Sequence, residues 1–140
     1  MVMRLRDFIG VWRLDRRIED RLNGQGGQFR GTARFDGDDK RLAYLEQGVL
    51  TLGTAAPMQA ERRYVWTAAP NGGIEVWFED GRPFHTIDTT TTTPTASHDC
   101  APDRYDVAYD FSDWPRWTAT WTVLGPRKDY SMMSSYTFSR

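Results

Sequence analysis

Residues 72–88 read GGIEVWFEDGRPFHTID: two strand-like runs around Asp80-Gly81, the strongest short-range hairpin signal. With Asp80 and Gly81 as the two central turn residues, Glu79 opposes Arg82, Phe78 opposes Pro83 and Trp77 opposes Phe84. Further out, Val76 opposes His85 and Ile74 opposes Ile87. Directly opposed residues share a face. The spacing therefore predicts an apolar face of Ile74, Val76, Phe78, Pro83 and Ile87, with His85 among them and turned inward.

Outward from this hairpin, the period of two persists and helical periodicity is nearly absent. GVWRLDRRI (10–18) puts Trp12, Leu14, Arg16 and Ile18 on one face; QFRGTARFDG (28–37) aligns Phe29, Gly31, Ala33 and Phe35. RLAYLEQGVL (41–50) leaves its faces open, since Ala43, Leu45 and Val49 compete with Leu42, Tyr44 and Leu50. Arg62, Tyr64 and Trp66 share a face, as do Tyr105, Val107, Tyr109 and Phe111. Trp117, Ala119, Trp121 and Val123 form the next such set, and Lys128, Tyr130, Met132, Ser134, Tyr136 and Phe138 the last. TTTTTPTAS (89–97) reads as a low-complexity connection, in which the β-branched threonines can extend a strand until Pro94 stops it. About nine short strands without a helix imply a β-sandwich or barrel.

At 140 residues, with 14 % aromatic and 26 % charged, the chain has the size and composition of one ordered domain, expected to span 1–140. A net charge of −1 supplies no basic field for nucleic acid or anionic lipid. No apolar run approaches the ~20 residues of a membrane helix, and Arg4, Arg6 and Asp7 interrupt the start where a signal peptide would need apolar residues. A single cysteine fits a reducing compartment. The expectation is a cytoplasmic protein that inserts in no membrane and binds no nucleic acid.

FIGVWRLDRRI (8–18) resembles the G-x-W opening of the calycin superfamily, the lipocalins and fatty-acid-binding proteins. The resemblance implies an antiparallel up-and-down β-barrel of about 8–9 strands. It also implies that Trp12 closes the base beneath a basic residue, for which Arg127 and Arg140 are the candidates. The whole chain is similar to an uncharacterised bacterial family of lipocalin-like domains. GVWRLDRRI, YLEQGVL, FEDGRPFH, HDCAPDRY and GPRKDYSMMSSY carry that similarity. It implies the fold and no activity.

A barrel of this size holds one small ligand, so polar residues on inward faces are the informative ones. By the phasing above they are Arg16, Glu46, Arg62, Tyr64, His85 and Tyr105, with Tyr109, Lys128, Tyr130, Tyr136 and Tyr44. Trp121 joins them as an aromatic wall. Two arginines and a lysine against one glutamate leave the interior net positive. Surplus buried cations need water or an anionic ligand, which arginine grips bidentately. The leading expectation is non-covalent binding of a small, anionic, aromatic or partly apolar molecule by a monomer or homodimer, with no cofactor. A plainer reading buries only the stems of Arg16 and Arg62 and leaves their heads in water. The rivals are acid–base catalysis by Glu46, His85, a tyrosine and an arginine, as in a small decarboxylase or cyclase, haem held by His85 or His98, and a filled barrel that serves as an interaction module.

HDCAPDRY (98–105) holds the only cysteine and one of the two histidines. His98 and Cys100, with His85 and an aspartate (Asp99 or Asp103), would be the parts of a metal site. The tyrosine phase that follows puts odd-numbered residues inward, which turns His98 and Cys100 outward unless a break near Ala101-Pro102 reverses them. Side chains two apart on a strand also stand roughly 6–7 Å apart, too far for direct pairing. Neither a metal nor a cysteine nucleophile is expected, and the segment reads as the lead-in to a strand at the barrel mouth.

Overall fold

The alternation carries through to three dimensions. The computed structural model describes residues 3–139 and consists of ten antiparallel strands in one sheet. They are β1 (Gly10–Asp20), β2 (Gln25–Gly37), β3 (Arg41–Leu52), β4 (Met58–Ala68), β5 (Ile74–Phe78), β6 (Pro83–Ile87), β7 (Thr95–Cys100), β8 (Asp103–Asp110), β9 (Trp117–Gly125) and β10 (Lys128–Phe138). The order β6-β5-β4-β3-β2-β1-β10-β9-β8-β7 makes an up-and-down meander curled into a nearly closed barrel. β1 pairs with β10, from Trp12↔Phe138 to Asp20↔Tyr130. The seam lies between β6 and β7, which adjoin without ladder hydrogen bonds.

The strand count exceeds the expected 8–9 because Thr95–Cys100 is a strand of its own. The threonine connection is ordered as well. Asp88 accepts hydrogen bonds from the Thr90 amide and hydroxyl, and the Thr92 and Pro94 carbonyls accept from the amides of Phe111 and Tyr109.

The β5–β6 turn differs from the two-residue expectation. The Gly81 amide donates to the Phe78 carbonyl, the Phe78 amide donates to Arg82, and Gly81 takes φ 93°. This is a three-residue loop ending in a left-handed glycine. A register shift between Val76 and Trp77 absorbs the extra residue, so Ile74↔Ile87 and Val76↔His85 hold while Trp77 meets Pro83. Phe84 is therefore buried and Pro83 exposed, the reverse of the simple phasing.

One end of the barrel is plugged. A 3-10 turn at Leu5–Phe8 drives Phe8 into the base, where its ring meets Trp66, Phe35, Phe111, Trp114 and Trp117 at 5.1–5.7 Å. The Trp12 indole donates to the Phe8 carbonyl at 2.9 Å and packs against Trp114 and Phe138. Aromatic pairs contribute about 0.5–1.5 kcal/mol each beyond burial, so the base is a rigid floor. Trp12 sits there, but Arg127 does not cover it. Arg127 lies in the β9–β10 turn at the far end of β10, about 35 Å along the strand from Phe138. Aromatic rings cover Trp12 instead, and Arg140 is outside the described residues.

Candidate functional site

Above the floor the inward positions enclose a cavity of about 300 Å³, at the small end of the range for small-molecule sites. Its deep part is held by one hydrogen-bonded network. Arg16 donates to both Glu46 oxygens, at 2.6 and 3.0 Å, and through Nε to the Ser134 hydroxyl at 2.8 Å. Tyr44 donates to Glu46 at 2.8 Å, and its oxygen lies 3.0 Å from the Tyr136 hydroxyl. Tyr136 stacks face to face on Trp117 at 3.7 Å.

These partners come from different strands. Ser134 on β10 stands directly opposite Arg16 on β1. Glu46 on β3 lies four residues off the Arg16 row, which runs through Phe29 to Leu50, and the long arginine side chain spans the difference. The open phase of β3 is resolved by the same network, with Leu42, Tyr44 and Glu46 buried. Arg16 is 8 % exposed and Glu46 4 %. Burial alone would push the Glu46 carboxyl up, but the Arg16 guanidinium and the Tyr44 hydroxyl hold it below the usual carboxylate range. In turn Glu46 outweighs burial at Arg16 and keeps its charge.

Arg62 stands directly beside Glu46 across β3 and β4. Both Glu46 oxygens are already taken by Arg16, and no carboxylate among the described residues lies within ion-pair distance of Arg62. Its side chain lines the cavity yet remains open to water. It is thus a hydrated cation facing inward, while Arg16 is a neutralised structural one. The two arginines have parted company.

Tyr64, Trp121, Tyr105 and Tyr130 also line the cavity, as do His85 and Tyr109. Burial raises the Tyr44, Tyr64, Tyr109 and Tyr136 hydroxyls above the ordinary phenol value, Tyr136 to about 12, so these groups are protonated donors. His85 Nε2 sits 2.8 Å from the Tyr109 hydroxyl. Burial, with a smaller push from His98, lowers its pKa to about 3. Lys128 stands at the rim, not in the cavity: its ammonium donates to Tyr105 at 3.0 Å and pairs with Asp103 at 3.0 Å.

Trp66, Val76, Phe78, Phe84, Trp117, Ala119 and Met132, with Arg82, whose guanidinium pairs with Asp80, complete the wall and lie outside the candidate site residues. So do His98 and Cys100, and here the expected orientation is corrected. Ala101 and Pro102 form a two-residue turn, so Cys100 opposes Asp103 and His98 opposes Tyr105. Opposed residues share a face, which places His98 and Cys100 with the inward tyrosines. Pro102, which breaks the strand phase at that point, is the signal of the reversal in the sequence. His98 meets Phe84 edge-on at 5.2 Å across the seam. Among the described residues no group of three or more His, Cys, Asp or Glu is placed to hold a metal.

In this geometry acid–base catalysis by Glu46 and His85 loses its parts, and haem keeps one of its two candidate ligands. Acid–base catalysis wants a group titrating near neutrality, but Glu46 is committed to Arg16 and His85 is pushed far down. Iron needs a free imidazole nitrogen, yet His85 Nε2 faces Tyr109 and its Nδ1 is buried. That leaves His98 alone for haem.

A family model spans nearly all of this chain, residues 8–138; it describes DUF6314, a family of unknown function. The chain belongs to DUF6314. This DUF6314 chain matches no curated protein. Its barrel is similar to that of the S-type phycobiliprotein lyase CPES from Guillardia theta. The TM-score is 0.69 over 99 % of this chain and 94 % of that one, at 9 % identity. At that identity the likeness speaks for the fold, a calycin-like barrel. No helix among the described residues is long and apolar enough to cross a membrane.

Proposed function

We propose that this DUF6314 barrel binds a small anionic molecule with an aromatic or partly apolar body, and that Arg62 anchors the anion. Arg62 carries the reading: it is a hydrated, inward cation without a carboxylate partner, beside a wall of tyrosine, tryptophan and phenylalanine. Arg16, Glu46, Tyr44 and Tyr136 shape the pocket from beneath, and Tyr64, Tyr105, Tyr109, Tyr130, Trp121 and His85 contact the body. Lys128, already paired with Asp103, sets the rim potential. The similar solved barrel is named a lyase, which ties the fold to more than passive structure. A net charge of −1 and a lone cysteine fit a cytoplasmic ligand carrier without nucleic acid among its partners.

Arg62→Met keeps the bulk and removes the cation. Affinity for anilinonaphthalene sulfonate is expected to fall by about 1.5–3 kcal/mol, the worth of a charged hydrogen bond. Affinity for phenylnaphthylamine, which has the same rings without the sulfonate, is expected to stay level. Equal losses for both probes, or none for either, would remove Arg62 from the site.

A further inference from the structure

A hollow of about 110 Å³ opens on the other side of Arg62, walled by Ile18, Phe29, Leu50 and Ala60 with Glu61 at its rim. It shares Arg16, Glu46, Arg62 and Met132 with the main cavity, so the two spaces meet at the charged cluster. Ile18, Leu50 and Ala60 are only half-buried although they lie on inward positions. Apolar surface is thus left facing water inside the barrel, where burying it would be favourable.

A row of small residues runs across the sheet to the hollow, which its last member, Ala60, lines with only a methyl group. Gly31, Gly48 and Ala60 oppose one another across β2, β3 and β4. A Cβ on Gly31 would run into the Gln47 carbonyl, and one on Gly48 into that of Arg30. The close approach of the two strands therefore forbids larger side chains there, and no bulk reaches in to fill the space beside them.

We propose that the hollow is a second subsite, which takes a short aliphatic arm of the same molecule whose anion meets Arg62 and whose rings fill the main cavity. This rests on the reading of Arg62 given above. The ligand class becomes an aromatic carboxylate branched beside the carboxyl group, with rings to one side and a short alkyl arm to the other. A flat aromatic anion would leave the hollow wet, and a linear fatty acid would leave the aromatic wall unused.

The test uses naphthylacetate and its homologue naphthylhexanoate, which carries a butyl arm on the carbon between ring and carboxylate. Titration calorimetry on the full chain should show the hexanoate binding at least about tenfold tighter, since each buried methylene is worth roughly fourfold. Ala60→Leu should erase that advantage and leave naphthylacetate unchanged. Should Ala60→Leu fail to fold, Leu50→Ala enlarges the hollow and should move the preference to the longer naphthyloctanoate. No gain from the arm in the native protein, or an equal loss of both probes in Ala60→Leu, overturns the subsite. Failure of naphthylacetate itself to bind overturns the Arg62 reading and the subsite with it.

Discussion

His85 shows how one side chain can couple folding to pH without any catalytic part to play. Its half-buried imidazole lies against Tyr109, and its pKa moves from 6.5 to about 3. Between those values the unfolded chain carries a proton that the folded one refuses, so stability falls as pH falls, by about 1.4 kcal/mol per unit at most. Replacing His85 with Gln retains a polar partner for Tyr109 and removes the titration. Urea unfolding should then show the native protein losing about 2.5 kcal/mol more than His85→Gln between pH 6 and pH 4. Parallel pH slopes would mean that His85 is protonated, or solvated, in the fold. The inward place of this histidine was legible from the Asp80-Gly81 hairpin, because Val76↔His85 survives the register shift. Its neutrality was not, since that depends on how deeply Tyr109 and Trp121 enclose it.

Strand β7 is the element that alters the site most. A short turn at Ala101-Pro102 folds it onto β8 and brings His98 and Cys100 inward. The same hairpin supplies one edge of the seam, where Phe84 and His98 meet by side chain and no backbone ladder joins β6 to β7. Edge amides without partners are the first to exchange with solvent. Hydrogen exchange should therefore find the seam-facing amides of β6 and β7 poorly protected, and those of β1, paired on both sides, among the slowest. Protection at the seam equal to that of β1 would mean that the barrel is hydrogen-bonded shut. The sequence divides Thr95–Cys100 between the threonine connection and the lead-in to β8, because a strand this short, alternating Ala96 and His98 against polar residues, has almost no apolar contrast.

At the scale of the whole barrel, the strands set an aromatic floor at one end and an inward arginine with a Lys128–Asp103 rim toward the other. Native mass spectrometry of freshly purified protein, compared with the denatured sample, should reveal a non-covalent adduct that disappears on unfolding. A bare mass at protein concentrations where the naphthyl probes bind would point to an exchanging ligand of low affinity. The all-β class, the inward faces of β1, β2, β4, β8, β9 and β10, and the inward Arg16 and Arg62 were written in the period-two pattern, whereas the barrel came with the calycin resemblance and Glu46 lies on β3, whose phase the sequence leaves open. A strand buried on one face must alternate, and charged residues on that face are conspicuous. What the pattern cannot hold is which inward charge neutralises which. Arg16 and Arg62 look alike along the chain, and only the register of β1, β3, β4 and β10 hands both Glu46 oxygens to Arg16. The tertiary structure alone leaves Arg62 without a carboxylate, because pairing across a barrel depends on distances between strands far apart in sequence.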